Sequence, residues 1–480
     1  MGDRQVTLPR AGLAKRVKAL MTGSVAGLAL MASPLVASAE TLGEALADSY
    51  RNSGLLEQNR AVLKAADEDA AQAIASLRPV LSWSAGVNRS FSTTYASGVS
   101  VGTGETTGSA QLTASLLLFD FGASARAVDV AKETVLLTRQ QLVSIEQQVL
   151  LRAVSAYMEV RRANENLALR QANVRLLSQE LRAAQDRFDV GEVTRTDVSQ
   201  AEAALAASRS GLTSAVGSLA QARLEYEAAV GHLPGNLAAP SRLGSVPGSQ
   251  AEATNIGLRV HPSMDVARRQ VTIADMQIDI AGAAYKPKLN ATASYGLSTP
   301  FGQDVNTLGG SVGLNLSGPV YSGGAIASVE RQALLNKEAT LANLHVVSDT
   351  VKQNVGTAYS AVQVAQAATV SGREQVRAAE VAFDGVREEA TLGSRTTLDV
   401  LTQEQTLLDA RTDYLSAQVD EVLARYSLLS AMGQLTAQAL NLNVEIYDPA
   451  AYYNMVKSAP ARQSRQGRQL DSVLRRIGRE

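Results

Sequence analysis

The chain repeats itself at a spacing of 202 residues. Tyr157, Gly191, Asp197, Arg223 and Gly231 recur in the same order as Tyr359, Gly393, Asp399, Arg425 and Gly433. The fullest correspondence pairs Val190-Gly191-Glu192-Val193-Thr194-Arg195-Thr196-Asp197-Val198 with Leu392-Gly393-Ser394-Arg395-Thr396-Thr397-Leu398-Asp399-Val400. Solenoid modules recur every ~20–50 residues, so a period this long marks a half-protein duplicated in tandem. The chain divides accordingly into a first repeat at 40–240, a second at 241–440 and a C-terminal segment at 441–480.

Long helical patterns fill most of both repeats, at 42–77, 123–188, 195–231, 254–283, 325–390 and 396–436. The stretch 123–188 has no proline, and as one helix it would run about 95–100 Å. Apolar residues step by seven through Val198, Leu205, Leu212, Leu219 and Tyr226, and again through Leu401, Leu408, Leu415, Val422 and Leu429. That step is the seam of a coiled coil, so these stripes are assigned to packing and given no chemical role.

Two segments, about 80–121 and 287–321, break the helical pattern. Within them 81–88, 110–116, 289–298 and 311–317 alternate apolar with Ser, Thr, Asn, Gln or Gly, the period-two mark of a strand. A polar face with so few charges suits a barrel lumen, with the apolar face toward lipid. Four strands cannot close a barrel, and an open sheet edge is not tolerated in hydrocarbon. Since the smallest barrels need about eight strands, several chains must share one. Two copies would supply eight strands and three would supply twelve. Pro79 to Gly122 is 43 residues and Pro287 to Gly324 is 37. The six-residue difference is expected in the Gly/Ser/Thr-rich connections, 96–109 and 299–310.

The N-terminus reads as a cleavable signal peptide. Basic residues between Arg10 and Lys18 precede an apolar run from Ala19 to Ala32, then Ala37-Ser38-Ala39. This order of charge, apolar core and small residues predicts cleavage between Ala39 and Glu40. Without residues 1–39 the net charge moves from −1 to −5, which disfavours a nucleic-acid partner. There is no cysteine, hence no disulfide, thiolate metal site or cysteine nucleophile. The three histidines, His232, His261 and His345, are scattered, and no cofactor, phosphate loop or nucleophilic constellation is legible. An enzyme is therefore not expected. Residues 457–480 carry seven basic side chains and two acids, and are expected to form a disordered or loosely helical tail.

Gly191 and Gly393 each sit between two helical patterns, where a glycine C-cap permits positive φ. Thr194-x-x-Asp197 and Thr396-x-x-Asp399 then read as capping boxes opening the next helix. Each repeat thus makes a helical hairpin at the end opposite its strands. Capping alone would explain both aspartates, and Arg395 and Asp399, four apart, would pair on the helix surface.

With these features in place, the chain resembles the TolC family of outer-membrane efflux and secretion ducts over about residues 40–450. Ala75-x-x-x-Pro79-x-Leu81, Leu118-Phe119-Asp120-Phe121-Gly122, the two Gly-to-Asp turns and Tyr447-Asp448-Pro449 carry the resemblance. It implies a mixed fold of helices plus membrane β-barrel. In a homotrimer, four strands from each chain would make a twelve-stranded barrel in outer-membrane lipid, and the coiled-coil-like helices would continue as a periplasmic α-barrel. It further implies docking of a periplasmic adaptor (membrane fusion) protein and an inner-membrane ABC or RND-type transporter, with passage of drugs, toxins or secreted proteins. Thr196, Asp197, Arg395 and Asp399 match the residues that hold the family's periplasmic mouth closed. Two positions depart from that pattern, Ala390 in place of a tyrosine and Thr402 in place of a second pore aspartate. Lacking cysteine, the chain resembles the unlipidated branch. The alternative is a secreted coiled-coil adhesin or structural surface protein, which would leave the paired strand hairpins unexplained.

Overall fold

The computed structural model describes residues 39–240, 244–302 and 304–477. The expected signal segment, apart from Ala39, lies outside them. From Glu40 on, the chain forms one unit. The elements run α1 (Leu42–Asn52), α2 (Gly54–Ala75), β1 (Val80–Ala96), β2 (Val99–Phe119), α3 (Ala123–Asp189) and α4 (Arg195–Val230). The second repeat gives α5 (Gln250–Val260), α6 (Pro262–Ala283), β3 (Lys288–Pro300), β4 (Thr307–Ser317), α7 (Ala325–Thr391) and α8 (Thr397–Ala431). Two further helices, α9 (Ala451–Val456) and α10 (Arg465–Ile477), close the chain.

The duplication is visible element by element. The helices α3 and α7 have 67 residues each, about 100 Å of helix, and their first residues, Ala123 and Ala325, are 202 apart. Before the strands the spacing is different: Leu42 and Gln250, Gly54 and Pro262, and Val80 and Lys288 are each 208 apart. The six-residue difference therefore falls inside the hairpins, but not in their loops as expected. β1 and β2 extend through 96–109 and meet at a two-residue turn, Ser97-Gly98, whereas β3 and β4 stop at Pro300 and Thr307. Ser97 (φ 51°) and Gly98 (φ 81°) both occupy the left-handed region, as the type I′ hairpin turn requires. The Gly-rich segment pairs because β-ladder bonds need only backbone. The first hairpin is longer by strand, and the second has the longer loop.

Two expected helices are each divided. Ser53 interrupts 42–77, its hydroxyl accepting from the Leu56 amide at 3.3 Å to cap α2. Pro262 interrupts the other, because it has no N–H to continue the ladder. It begins α6, where the His261 ring nitrogen accepts from the Ser263 amide at 3.1 Å.

The four strands form one antiparallel sheet in the order β1-β2-β3-β4. Its two faces differ as the alternation predicts. One transverse row reads Ser82, Thr113, Ser294, Ser311, and the adjacent row reads Trp83, Leu112, Tyr295, Gly310. The hydroxyls of Ser294 and Ser311 lie 2.9 Å apart. The apolar side chains Leu81, Trp83, Val87, Phe91, Val312, Leu314 and Leu316 are uncovered, Trp83 by 79%. The main core lies instead where α1, α2, α3, α4 and α8 meet, around Leu46, Tyr50, Leu63, Leu150, Val154, Tyr157, Tyr226, Leu428 and Met432. There the Tyr157 hydroxyl approaches the carbonyls of Glu40 (2.8 Å) and Ala238 (2.7 Å), and Tyr226 donates to the Glu40 carboxylate. Glu40 also joins Leu237 in a parallel bridge.

Of the two forms expected for the C-terminal tail, the structure shows the helical one. Residues 465–477 are helical, and Leu470 is buried against Ala71, Tyr452 and Val456. The apolar side chains of this short segment fall on one helical face, a spacing that its high charge concealed.

Candidate functional site

Opposite the sheet, α3–α4 and α7–α8 end in two turns of nearly identical build. At the first, the Gly191 amide donates to Phe188 O (2.9 Å) and the Glu192 amide to Arg187 O (2.9 Å). At the second, the Gly393 amide donates to Ala390 O (3.2 Å) and the Ser394 amide to Glu389 O (3.0 Å). This paired pattern is the Schellman motif, which needs a left-handed residue after the helix. Gly191 (φ 81°) and Gly393 (φ 77°) supply it.

Both capping boxes form. The Asp197 carboxylate accepts from the Thr194 amide (2.9 Å) and hydroxyl (2.7 Å), and Asp399 accepts from the Thr396 amide (3.0 Å) and hydroxyl (2.9 Å). The Thr194 hydroxyl bond, then its amide, holds the Asp197 carboxyl below its ordinary range. For Asp399 the Thr396 amide contributes most and its hydroxyl next. Both turns therefore present fixed negative charge near neutral pH. Thr196 is exposed. Arg395 does not pair with Asp399. Its Nε donates instead to Glu389 at 2.7 Å, across the turn in the same hairpin.

The two hairpins are joined just before their turns. Arg387 of α7 lies 3.5 Å from Glu180 of α3. Ala390, at the position of the expected tyrosine, is buried with Phe383, Val400, Leu407 and Ala410. Beside it is a cleft of about 210 Å³ that also borders Ala184, Arg187, Thr397 and Leu401. Thr402 donates back to Leu398 O at 2.8 Å, so its hydroxyl is spent within α8.

Further along the helices is a buried polar node the sequence reading passed over. The Asn173 amide of α3 donates to Glu404 of α8 at 2.5 Å, and Ser208 of α4 donates to the Asn173 carbonyl oxygen. All three residues are buried, and the second Glu404 oxygen has no hydrogen-bond partner among the described residues. Burial pushes the Glu404 carboxyl up to about 7, with the nearby Glu180 carboxylate adding to the rise and Asn173, Arg387 and Arg411 opposing it. A signal existed: Glu404 and Ser208 each stand three residues after a stripe leucine (Leu401 and Leu205), on the buried side of the seam.

Aromatic side chains ring both ends of the sheet. Phe119, Phe121, Tyr285 and Tyr321 are exposed where strands join helices, and Phe91, Tyr95 and Phe301 are exposed at the far end. Two such girdles bounding an apolar band are the mark of a membrane barrel. The sequence model of the outer membrane efflux protein family matches residues 46–232 and 257–435. The chain belongs to the outer membrane efflux protein family. Among its relatives is the outer membrane efflux protein BepC of Brucella suis, 33% identical over 92% of this chain and 96% of that one. The outer membrane protein TolC of Escherichia coli is 25% identical over 86% of each chain. In fold, the CmeC outer membrane channel of Campylobacter jejuni superposes with a TM-score of 0.73 at 15% identity, covering 88% of this chain and 90% of that one.

Outer membrane efflux proteins are channel proteins rather than enzymes. The chain is located in the outer membrane with a large periplasmic helical part, and the adhesin alternative falls. Among the described residues no helix is long and apolar enough to cross a membrane, and no three His, Asp or Glu side chains converge as metal ligands do.

Proposed function

We propose that three copies of the chain close a twelve-stranded barrel in the outer membrane, continued through the periplasm by their helices as one duct. The observation that supports this most directly is the state of the sheet. β1 and β4 are outer edges with no partner among the described residues of the chain, and β4 is exposed along its whole length. Lipid does not tolerate unpaired edge amides, so each β1 must pair with the β4 of a neighbour. The duct takes its cargo from an inner-membrane transporter of the ABC or RND type, through a periplasmic adaptor that docks on the helical hairpins. Drugs are the favoured cargo, since the relative BepC is named for efflux; a secreted protein is the second reading. Thr196, Asp197, Arg395 and Asp399 line the closed mouth at the hairpin turns, and a signal peptide ending at Ala39 directs export.

Cysteine pairs test the assembly without interference, because the chain has no cysteine of its own. With strands about 4.8 Å apart, β1 and β4 of one chain stand about 14 Å apart, beyond disulfide reach. Cysteines introduced at Leu81 and scanned over Leu314 and Leu316 are expected to give covalent dimers and trimers on oxidation. Monomer alone, at every pairing, would overturn the shared barrel.

A further inference from the structure

The C-terminal segment climbs the molecule toward the membrane. The Tyr452 hydroxyl donates to Glu68 of α2 at 2.7 Å. One turn of α2 closer to the sheet, Ala71 meets Tyr452, Val456 and Leu470. Past the end of α2, Arg78 donates to the carbonyls of Ser458 (2.6 Å) and Ala459 (3.0 Å). Arg78 lies two residues before β1 and five before Trp83. The segment therefore reaches the level at which Phe119, Phe121, Tyr285 and Tyr321 mark the inner edge of the apolar band. Lys286 is at the same level, its ammonium 5.3 Å from the Phe121 ring.

There the chain reverses at Ala459 (φ 40°) and Pro460 and enters α10. The helix is seated on its own chain. A Cβ at Gly467 would come within 2.2 Å of Ala461 O, Leu470 is buried, and Asp471 is engaged by Arg462 at 3.4 Å. Arg465, Arg468 and Arg475 fall on the opposite face, at about 0°, 300° and 280° around the helix against about 140° for Leu470. All three are exposed, and none makes an ion pair with a described residue. The helix thus buries Leu470 against the protein and presents arginines outward beside the membrane boundary.

We infer that the arginine face of α10 docks on anionic phospholipid headgroups of the periplasmic leaflet of the outer membrane. Guanidinium groups suit phosphate through paired N–H donors. Basic residues at an anionic lipid surface each add roughly a factor of five to affinity, so three give about a hundredfold. The inference rests on the outer-membrane location and not on the trimer or the cargo, so it stands or falls separately from them.

Hydrogen exchange of α10 amides in the full-length protein tests it, in nanodiscs of phosphatidylcholine with or without phosphatidylglycerol. Slower exchange at 465–477 only in the anionic discs, abolished by high salt and by the R465Q/R468Q/R475Q variant, is the expected result. Equal exchange in both discs overturns the inference, and this comparison needs no variant that must fold. Inorganic phosphate added to the zwitterionic discs is expected to leave exchange unchanged; protection by phosphate alone would mean the site takes a free anion and not a lipid surface. Protection by peptidoglycan fragments in place of anionic discs would likewise overturn it.

Discussion

Glu404 shows what one buried titratable group does to a helical duct. Its carboxyl is raised from 4.5 to about 7, so the folded state holds a proton that the unfolded chain releases. Stability from this group is complete below 4.5 and is lost as pH rises through about 7. Asp67 acts in the same direction, its buried carboxyl pushed up to about 6 against the pull of Arg139. Above neutrality Glu404 is a buried carboxylate with one oxygen unsatisfied, worth about 1–3 kcal/mol of destabilisation. Glu404→Gln is therefore expected to leave thermal stability nearly unchanged near pH 5 and to raise it near pH 8, giving a flatter profile of Tm against pH. Parallel profiles for variant and parent would show that Glu404 does not titrate in this range.

At the scale of elements, the first hairpin depends on its turn. Ser97 and Gly98 must both be left-handed to join β1 and β2 in register, and no atom lies within 4 Å of a Cβ placed on Gly98. Gly98→Val therefore isolates backbone strain from packing, at about 1–2 kcal/mol. It is expected to lower the yield of assembled, heat-resistant protein while leaving helix content by circular dichroism intact. The same hairpin shows why part of the sheet was illegible. Segment 96–109 has the composition of a loop, and only its partner strand's register reveals that its glycines face Phe91 and Thr93 across a ladder. The helix break at Pro262 was legible in principle, since proline forbids continuation, whereas a pair like Ser53-Gly54 also occurs mid-helix, as Ser210-Gly211 inside α4.

At the scale of the whole molecule, the residues proposed to gate the duct are the same ones that build the hairpin turns. Asp197 and Asp399 are committed to their helix starts, and Arg395 to Glu389. Any link between hairpins or between copies must therefore draw on these groups without dissolving the turns. R395A/D399N keeps an acceptor at the cap and removes both charges. A single exposed ion pair contributes little, but threefold repetition multiplies it. The closed population is thus expected to fall severalfold, read as a rise in single-channel conductance in planar bilayers. Unchanged conductance would leave Arg395 and Asp399 as hairpin-stabilising residues only.

What the sequence alone determined is the duplication, the lengths of α3, α4 and α7, the four strands with unlike faces, and the glycine turns with their threonine caps. Apart from the duplication, read by comparing the two halves, each follows from residues within one or two turns of one another. What only the tertiary structure decided depends on partners far apart in the chain. The strand extension needs β1 and β2 in register, and the helical tail needs α2 to cover Leu470. Arg395 turns to Glu389, across the hairpin turn, and not to Asp399 on its own helix. The node of Asn173, Ser208 and Glu404 needs three helices from both repeats. A polar side chain at a seam position declares itself, but which distant groups satisfy it is settled only when the seams close.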